Sequence, residues 1–295
     1  QTCALPIWLM EEKRDRRISV LLSAPVSPFQ IIVGKMAPYI TFAMLSVIVI
    51  GLFMEGNLLL LVVIFLPVLL FVFSIYLMVP LIYRTFRDTT FISMFATVAC
   101  TLYLLFPAMF LDVSDLSYVS PLSIAVQMYR GEPFSLRAYL TSTVPMFVIS
   151  AVFGYIGSRL LNEEYLTRFR PIHHKLAEAV YLSMERERPY LSVTLVSLCL
   201  IPLVYLAQLV ILTVSLNLPV RVAVGALLVV SVIVEEVTKS VGIVTLVENR
   251  DVSSVGAVVL LALLSALGFL IGEKLLVLIS VRAVSESLLS TVLLN

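Results

Sequence analysis

Charge is scarce in this chain: Asp, Glu, Lys and Arg make up 13% of its 295 residues, about half the roughly 25% usual for soluble domains. Histidine occurs only at His173 and His174, which leaves little material for a histidine-built metal site. The three cysteines, Cys3, Cys100 and Cys199, are far apart. Without a CxxC pair they offer no local metal or redox motif and read as packing residues. The formal net charge is only +1, so a nucleic-acid partner has no electrostatic support. The opening residues do not read as a signal peptide, since they carry no initiating Met, basic n-region or long apolar h-region. Residues 1–7, QTCALPI, resemble the translation of a sequencing-library adapter instead. The expectation is that Cys3 is not native and that the chain is an internal fragment.

What abounds is apolar side chain, at 60% of residues with a mean hydropathy of +1.07. No soluble fold of this length hides that much. Crossing a bilayer takes about 20 apolar residues, and seven runs approach this: 36–53, 58–83, 90–111, 140–161, 191–216, 220–247 and 255–281. Helix is the economical choice, because an unpaired backbone group in lipid costs several kcal/mol and the runs lack the alternation of barrel strands. The expected fold is an all-α polytopic transmembrane bundle of about seven spans, with residues 288–295 as a truncated eighth.

Lys and Arg set the expected orientation. Lys13, Arg14, Arg16, Arg17 and Lys35 precede the first span, Arg84 and Arg87 follow the second, and Arg159, Arg168, Arg170, Lys175, Arg186 and Arg188 follow the fourth. The alternate loops hold fewer. This predicts a multi-pass protein of the cell membrane with the N-terminal segment and the 162–190 linker in the cytoplasm. In the outer loop, Ser120-Pro121 suits a helix start and Gly131 its stop, with Leu122, Ala125, Val126 and Tyr129 on an apolar side expected to lie on the membrane surface. In the linker, a helix after Pro171 would gather Leu176, Val180 and Met184 on one face.

The stretch from Leu9 to Lys35, LMEEKRDRRISVLLSAPVSPFQIIVGK, combines a charge cluster, an apolar patch and two chain-breaking prolines ahead of a span. Such a segment can lie against anionic lipid or dock a cytosolic partner. Its order resembles the cytoplasmic segment of type-2 ABC transporter permeases, through Glu11, Glu12, Lys13, Leu21, Leu22, Ser23, Pro25, Val26, Ser27, Gly34 and Lys35. The resemblance extends to SPLSIAVQMYRG (120–131) and to the four spans that follow. It implies contact with a separate ABC ATPase subunit through Glu11, Glu12, Lys13, Arg16, Arg17 and Pro25, with ATP used only there, and permease subunits arranged as a dimer or pseudo-dimer.

The sixth run carries Glu235, Glu236 and Lys239 near its middle. Each charge at a bilayer centre costs about 2.5–3.5 kcal/mol on insertion scales, so the three must be paired, neutralised or turned to a polar cavity. Lys239 is four residues from Glu235 and three from Glu236, within helical pairing distance of both. Adjacent glutamates diverge by about 100° and cannot share one role. The seventh run adds Gly268, Phe269, Gly272, Glu273 and Lys274. Aligning span centres puts Glu273 about 8 Å outward of Glu235. From the residues alone, a structural ion network, a proton or ion pathway and a hydrolytic site all stay open.

VEEVTKS (234–240) followed by GFLIGEK (268–274) is similar to the paired motifs of the PrsW branch of the CPBP intramembrane proteases. That resemblance implies a peptidase acting on a membrane-protein substrate. Glu235, Glu236, Lys239 and Glu273 would be catalytic, with Glu235 or Glu236 as base. Gly268, Phe269 and Arg282 would be motif residues, and the metal requirement is left unknown, with a divalent ion admitted at the site. The sequence departs from the family pattern at Leu270 and Lys274, and the family's intramembrane histidine is not represented. The resulting organisation is 1–7 adapter-derived, 8–165 permease-like, 166–190 an amphipathic linker and 191–295 peptidase-like. The alternative is a transporter throughout with a silent second half.

Overall fold

The computed structural model describes residues 4–15, 20, 25–53, 57–83, 85–109, 111, 117, 119–162, 165–166, 171–185, 187–215 and 218–294, with the side chains of 276–294 left undescribed. Eleven α-helices are formed among them: α1 (Ala4–Arg14), α2 (Pro28–Phe53), α3 (Leu58–Ile82), α4 (Phe86–Ala108), α5 (Pro121–Tyr129), α6 (Leu136–Leu160), α7 (Ile172–Ser183), α8 (Pro189–Cys199), α9 (Ile201–Ser215), α10 (Val220–Glu248) and α11 (Val255–Leu294). The expected all-α bundle is what forms.

Among the described residues, six segments are long and apolar enough to cross a membrane: Pro28–Phe53, Leu58–Ile82, Phe86–Ala108, Leu136–Leu160, Pro189–Leu212 and Val255–Leu275. α10 is long enough too, since its 29 residues span about 43 Å. It falls outside that set because Arg221, Glu235, Glu236 and Lys239 keep its composition too charged. It packs against α9 and, antiparallel, against α11, where Lys239 and Leu246 meet Ser265 and Leu261. Large apolar side chains such as Phe42, Phe95, Leu140 and Leu263 are exposed, as lipid contact requires. α11 is one continuous helix containing both the seventh run and the closing apolar residues.

Local chemistry explains the boundaries. Asn57, Thr85 and Ser135 cap α3, α4 and α6 by accepting backbone N–H groups of Leu59, Asp88 and Ala138. The expected fifth span is interrupted at Leu200, where Pro202 withholds its N–H and splits the run into α8 and α9. α10 ends with Arg250 in the left-handed region at φ 62°, where Asp251 N donates to Leu246 O and Arg250 N to Val247 O, closing the last carbonyls.

Helix faces follow specific bonds. α5 starts at Ser120 and stops at Gly131, whose φ of 74° suits glycine. It buries Pro121, Ser123, Ile124 and Gln127, while Tyr129 is exposed. Ser120 donates to Leu104 O and Ser123 to Ser117 O, which ties the buried side to the bundle. α7 forms as predicted, yet Leu176 is exposed while Lys175 and Ala179 are buried. The Lys175 ammonium sits 5.3 Å over the Tyr165 ring, and the Tyr165 hydroxyl donates to Lys175 O. Burial, and then the Glu178 carboxylate, push the Tyr165 phenol above its ordinary range. The hydroxyl therefore stays a donor.

The two halves share a core. Phe71, Tyr103 and Met146 of the first half pack with Tyr205, Leu206 and Leu212 of α9. A second cluster joins α7 to α10 and α11 through Met184, Val193, Leu246 and Leu261.

Candidate functional site

Small residues bring α11 onto α8. A Cβ on Gly268 would collide with Thr194 O, and one on Gly272 would lie 2.8 Å from Ile201 Cγ1, so only glycine permits this approach. Beside them, Ser265 Oγ donates to Lys239 O at 2.7 Å. The Ser197 and Ser265 hydroxyls are 2.7 Å apart and buried. Ser265 has spent its proton on Lys239 O, so Ser197 is the donor in that pair. This chain of contacts runs from α8 through α11 to the backbone of α10 and fixes their register.

On α10 the charges assemble around Lys239. Its ammonium donates to Glu236 Oε1 at 2.9 Å and lies 3.9 Å from Glu235 Oε2. It also sits 4.6 Å over the Phe269 ring, a cation–π contact. Glu235 is held from the far side by Gln208 of α9, whose Nε2 donates to Oε1 at 3.1 Å. Around Phe269 pack Ile201, Val204 and Val234. The two glutamates thus take different positions: Glu235 is turned between α9 and Lys239, whereas Glu236, with 68% of its side chain exposed, looks outward.

Gln208 is a site residue that the sequence reading missed. Its only signal was an amide in the otherwise apolar run IPLVYLAQLVILTVS, a costly residue in lipid without a partner.

The register keeps Glu273 offset from Glu235. α10 and α11 are antiparallel, with Ser265 at the Lys239 backbone and Phe269 packed on Val234. Glu273, four residues beyond Phe269, therefore lies about one helical turn, roughly 6 Å, from the level of Glu235, close to the expected offset. Glu273 pairs with Lys274 at 3.3 Å and both are about half exposed, so it makes no bond to the α10 cluster. Gly268 and Phe269 join the site through packing. The Arg282 side chain lies outside the described residues.

No three His, Cys, Asp or Glu side chains converge as a metal-binding set among the described residues. Glu236 is directed at Lys239 and Glu273 at Lys274, so these carboxylates do not fit a divalent ion as arranged. His174, the described member of the histidine pair, lies 3.7 Å from Glu248 at the end of α10, away from the cluster.

The N-terminal candidates divide sharply. Glu12 is buried and accepts from Lys35 Nζ at 2.6 and 2.8 Å. Lys13 donates to Pro80 O and Tyr83 O at 3.1 Å each, placing a cation on the carbonyl end of α3. Both are used inside the bundle. Glu11 and Pro25 are exposed, and Arg16 and Arg17 lie outside the described residues. Residues 4–7 belong to α1, with Pro6 buried.

Fold and site together define a multi-pass α-helical membrane protein with an ionic cluster near the middle of the long helix α10. Compared with protein-family models, curated proteins and solved structures, the chain matches none.

Proposed function

We propose that the second half is an intramembrane peptidase module and the first half a permease subunit of an ATP-driven exporter in the cell membrane, with 162–190 cytoplasmic. The observation that carries the peptidase reading is Glu235: a carboxylate near the middle of α10, two-thirds buried and oriented by Gln208 and Lys239. A carboxylate so held can take a proton from water while the water oxygen bonds to a peptide carbonyl carbon; the C–N bond then breaks and the proton passes to the departing amine. Lys239 and Gln208 orient the base, and the scissile peptide belongs to a membrane-protein substrate. Glu236, bonded to Lys239 and outward-facing, serves as the ionic partner.

Glu→Gln keeps shape while removing ionisation, so it separates chemistry from folding. Glu235→Gln is expected to abolish cleavage of a reconstituted membrane substrate at unchanged folded yield, with Glu236→Gln less affected and Glu273→Gln least. A Glu235→Gln variant that cleaves as fast overturns the assignment of Glu235 as base, whereas a wild type that cleaves no membrane substrate leaves the transporter-throughout reading. That reading draws its support from the outward pairing of Glu273 with Lys274.

The permease reading rests on the charged entry segment and the basic inner loops. With Glu12 and Lys13 occupied internally, the ABC ATPase contact falls to Glu11, Arg16, Arg17 and Pro25, in a dimer or pseudo-dimer of permease subunits. Arg16→Glu with Arg17→Glu should reduce co-purification of the ATPase and ATP-driven transport. Undiminished binding would assign the segment to lipid contact alone.

A further inference from the structure

The burial pattern of α10 leaves one face bare along the whole helix. Gly225, Val229, Ile233, Glu236, Ser240 and Val244 are all exposed and recur at three- and four-residue steps, which is one stripe of an α-helix. No atom lies within 4 Å of where a Cβ on Gly225 would be. Most of the stripe suits lipid, but its centre does not. Glu236 stands there with 68% of its side chain exposed, near the middle of the 29-residue helix and flanked on the stripe by apolar Ile233 and Val229.

Nor is its charge fully answered within the cluster. Glu235 and Glu236 share the single ammonium of Lys239, which leaves two carboxylates against one cation. Intramembrane carboxylates resolve such a deficit by facing a polar partner in the bundle rather than lipid. Gly225 and Ser240 on the same stripe are the small residues that let a second helix come close.

We infer that this face docks a transmembrane helix of another protein, apolar along its length and carrying one cationic or hydrogen-bond-donating side chain at the depth of Glu236. A second copy of this chain is the less suitable occupant. Two-fold pairing about the bilayer normal sets identical residues at the same depth, bringing Glu236 against Glu236. The inference requires no cleavage and stands whether or not Glu235 is a base.

The test uses the full chain bearing Ser240→Cys, reconstituted in phosphatidylcholine vesicles with a Leu-rich transmembrane peptide that carries one cysteine and either a central lysine or leucine in its place. The chain without Ser240→Cys reports any background from native cysteines. The lysine peptide is expected to give about tenfold more disulfide cross-link than the leucine peptide, the scale of one interhelical polar contact in lipid. Adding Glu236→Gln should erase the difference. Ile233→Trp, which obstructs the stripe without touching a carboxylate, should lower the lysine peptide to background, with helicity by circular dichroism confirming both variants. Equal cross-linking of the two peptides overturns the inference. So does a lysine-peptide yield that survives Ile233→Trp, or a chain-to-chain cross-link that excludes the peptide, which would give the face to a second copy.

Discussion

Exchange of Lys239 for methionine is expected to cost more stability than any other single change in the second half. Methionine keeps the length and the packing against Phe269, so the loss is electrostatic. It removes the only ammonium shared by Glu235 and Glu236 and the cation over the Phe269 ring. Two adjacent carboxylates are then stranded in a spanning helix, where one such charge costs about 2.5–3.5 kcal/mol. Adding Glu235→Gln and Glu236→Gln to Lys239→Met removes the stranded charge and should recover most of the loss. The check is detergent-induced unfolding followed by circular dichroism. A midpoint for Lys239→Met equal to that of the wild type would show that the ammonium holds nothing together.

The second large effect is expected at the other end of the molecule. Lys35→Met leaves Glu12, 8% exposed, without the ammonium that meets both its oxygens. Breaking a buried pair by removing one partner costs about 3–5 kcal/mol, whereas replacing both partners by apolar residues is often neutral. Lys35→Met alone should therefore loosen α1 from the bundle, where it also packs on α3 and α4, and Glu12→Met with Lys35→Met should restore its seating. Proteolysis is a direct readout, because Lys13 and Arg14 become cleavable when α1 leaves. If the single and double variants are cut at the same rate, the pair does not hold α1 in place.

These expectations differ in how visible they were beforehand. The Lys239 cluster was legible because helical spacing alone puts Lys239 within reach of both glutamates. Nothing in the spacing said which glutamate would face inward, since that depends on where α9 and its Gln208 lie. The Glu12–Lys35 pair was not legible at all. Its members are 23 residues apart in a segment whose charges read equally as lipid contacts or as docking groups. Lys13 tells the same story: its partners are carbonyls at the end of α3, which carry no sequence signature.

Helix faces show where periodicity gave way to specific bonds. The apolar side of α5 was expected on the membrane surface, and of it Tyr129 is exposed; in α7 the apolar face divides, with Leu176 exposed and Met184 buried. In a membrane protein the outside is also apolar, so hydrophobicity no longer separates inside from outside. Hydrogen bonds from Ser120 and Ser123, and the seating of Lys175 over Tyr165, chose the faces instead.

By itself, the sequence determined that this chain is a helical membrane protein, where most of its helices run and which residues form a charged cluster in one of them. Those properties follow from composition and from periodicities shorter than a few turns, which the chain carries locally. The tertiary structure alone decided the register of α10 against α11, the pairing of Glu273 with Lys274, the entry of Gln208 into the site and the outward exposure of Glu236. Each depends on how closely helices distant in sequence approach one another. That approach is set by a few small side chains and buried hydroxyls, Gly268, Gly272, Ser197 and Ser265, whose effect exists only once their neighbours are in place.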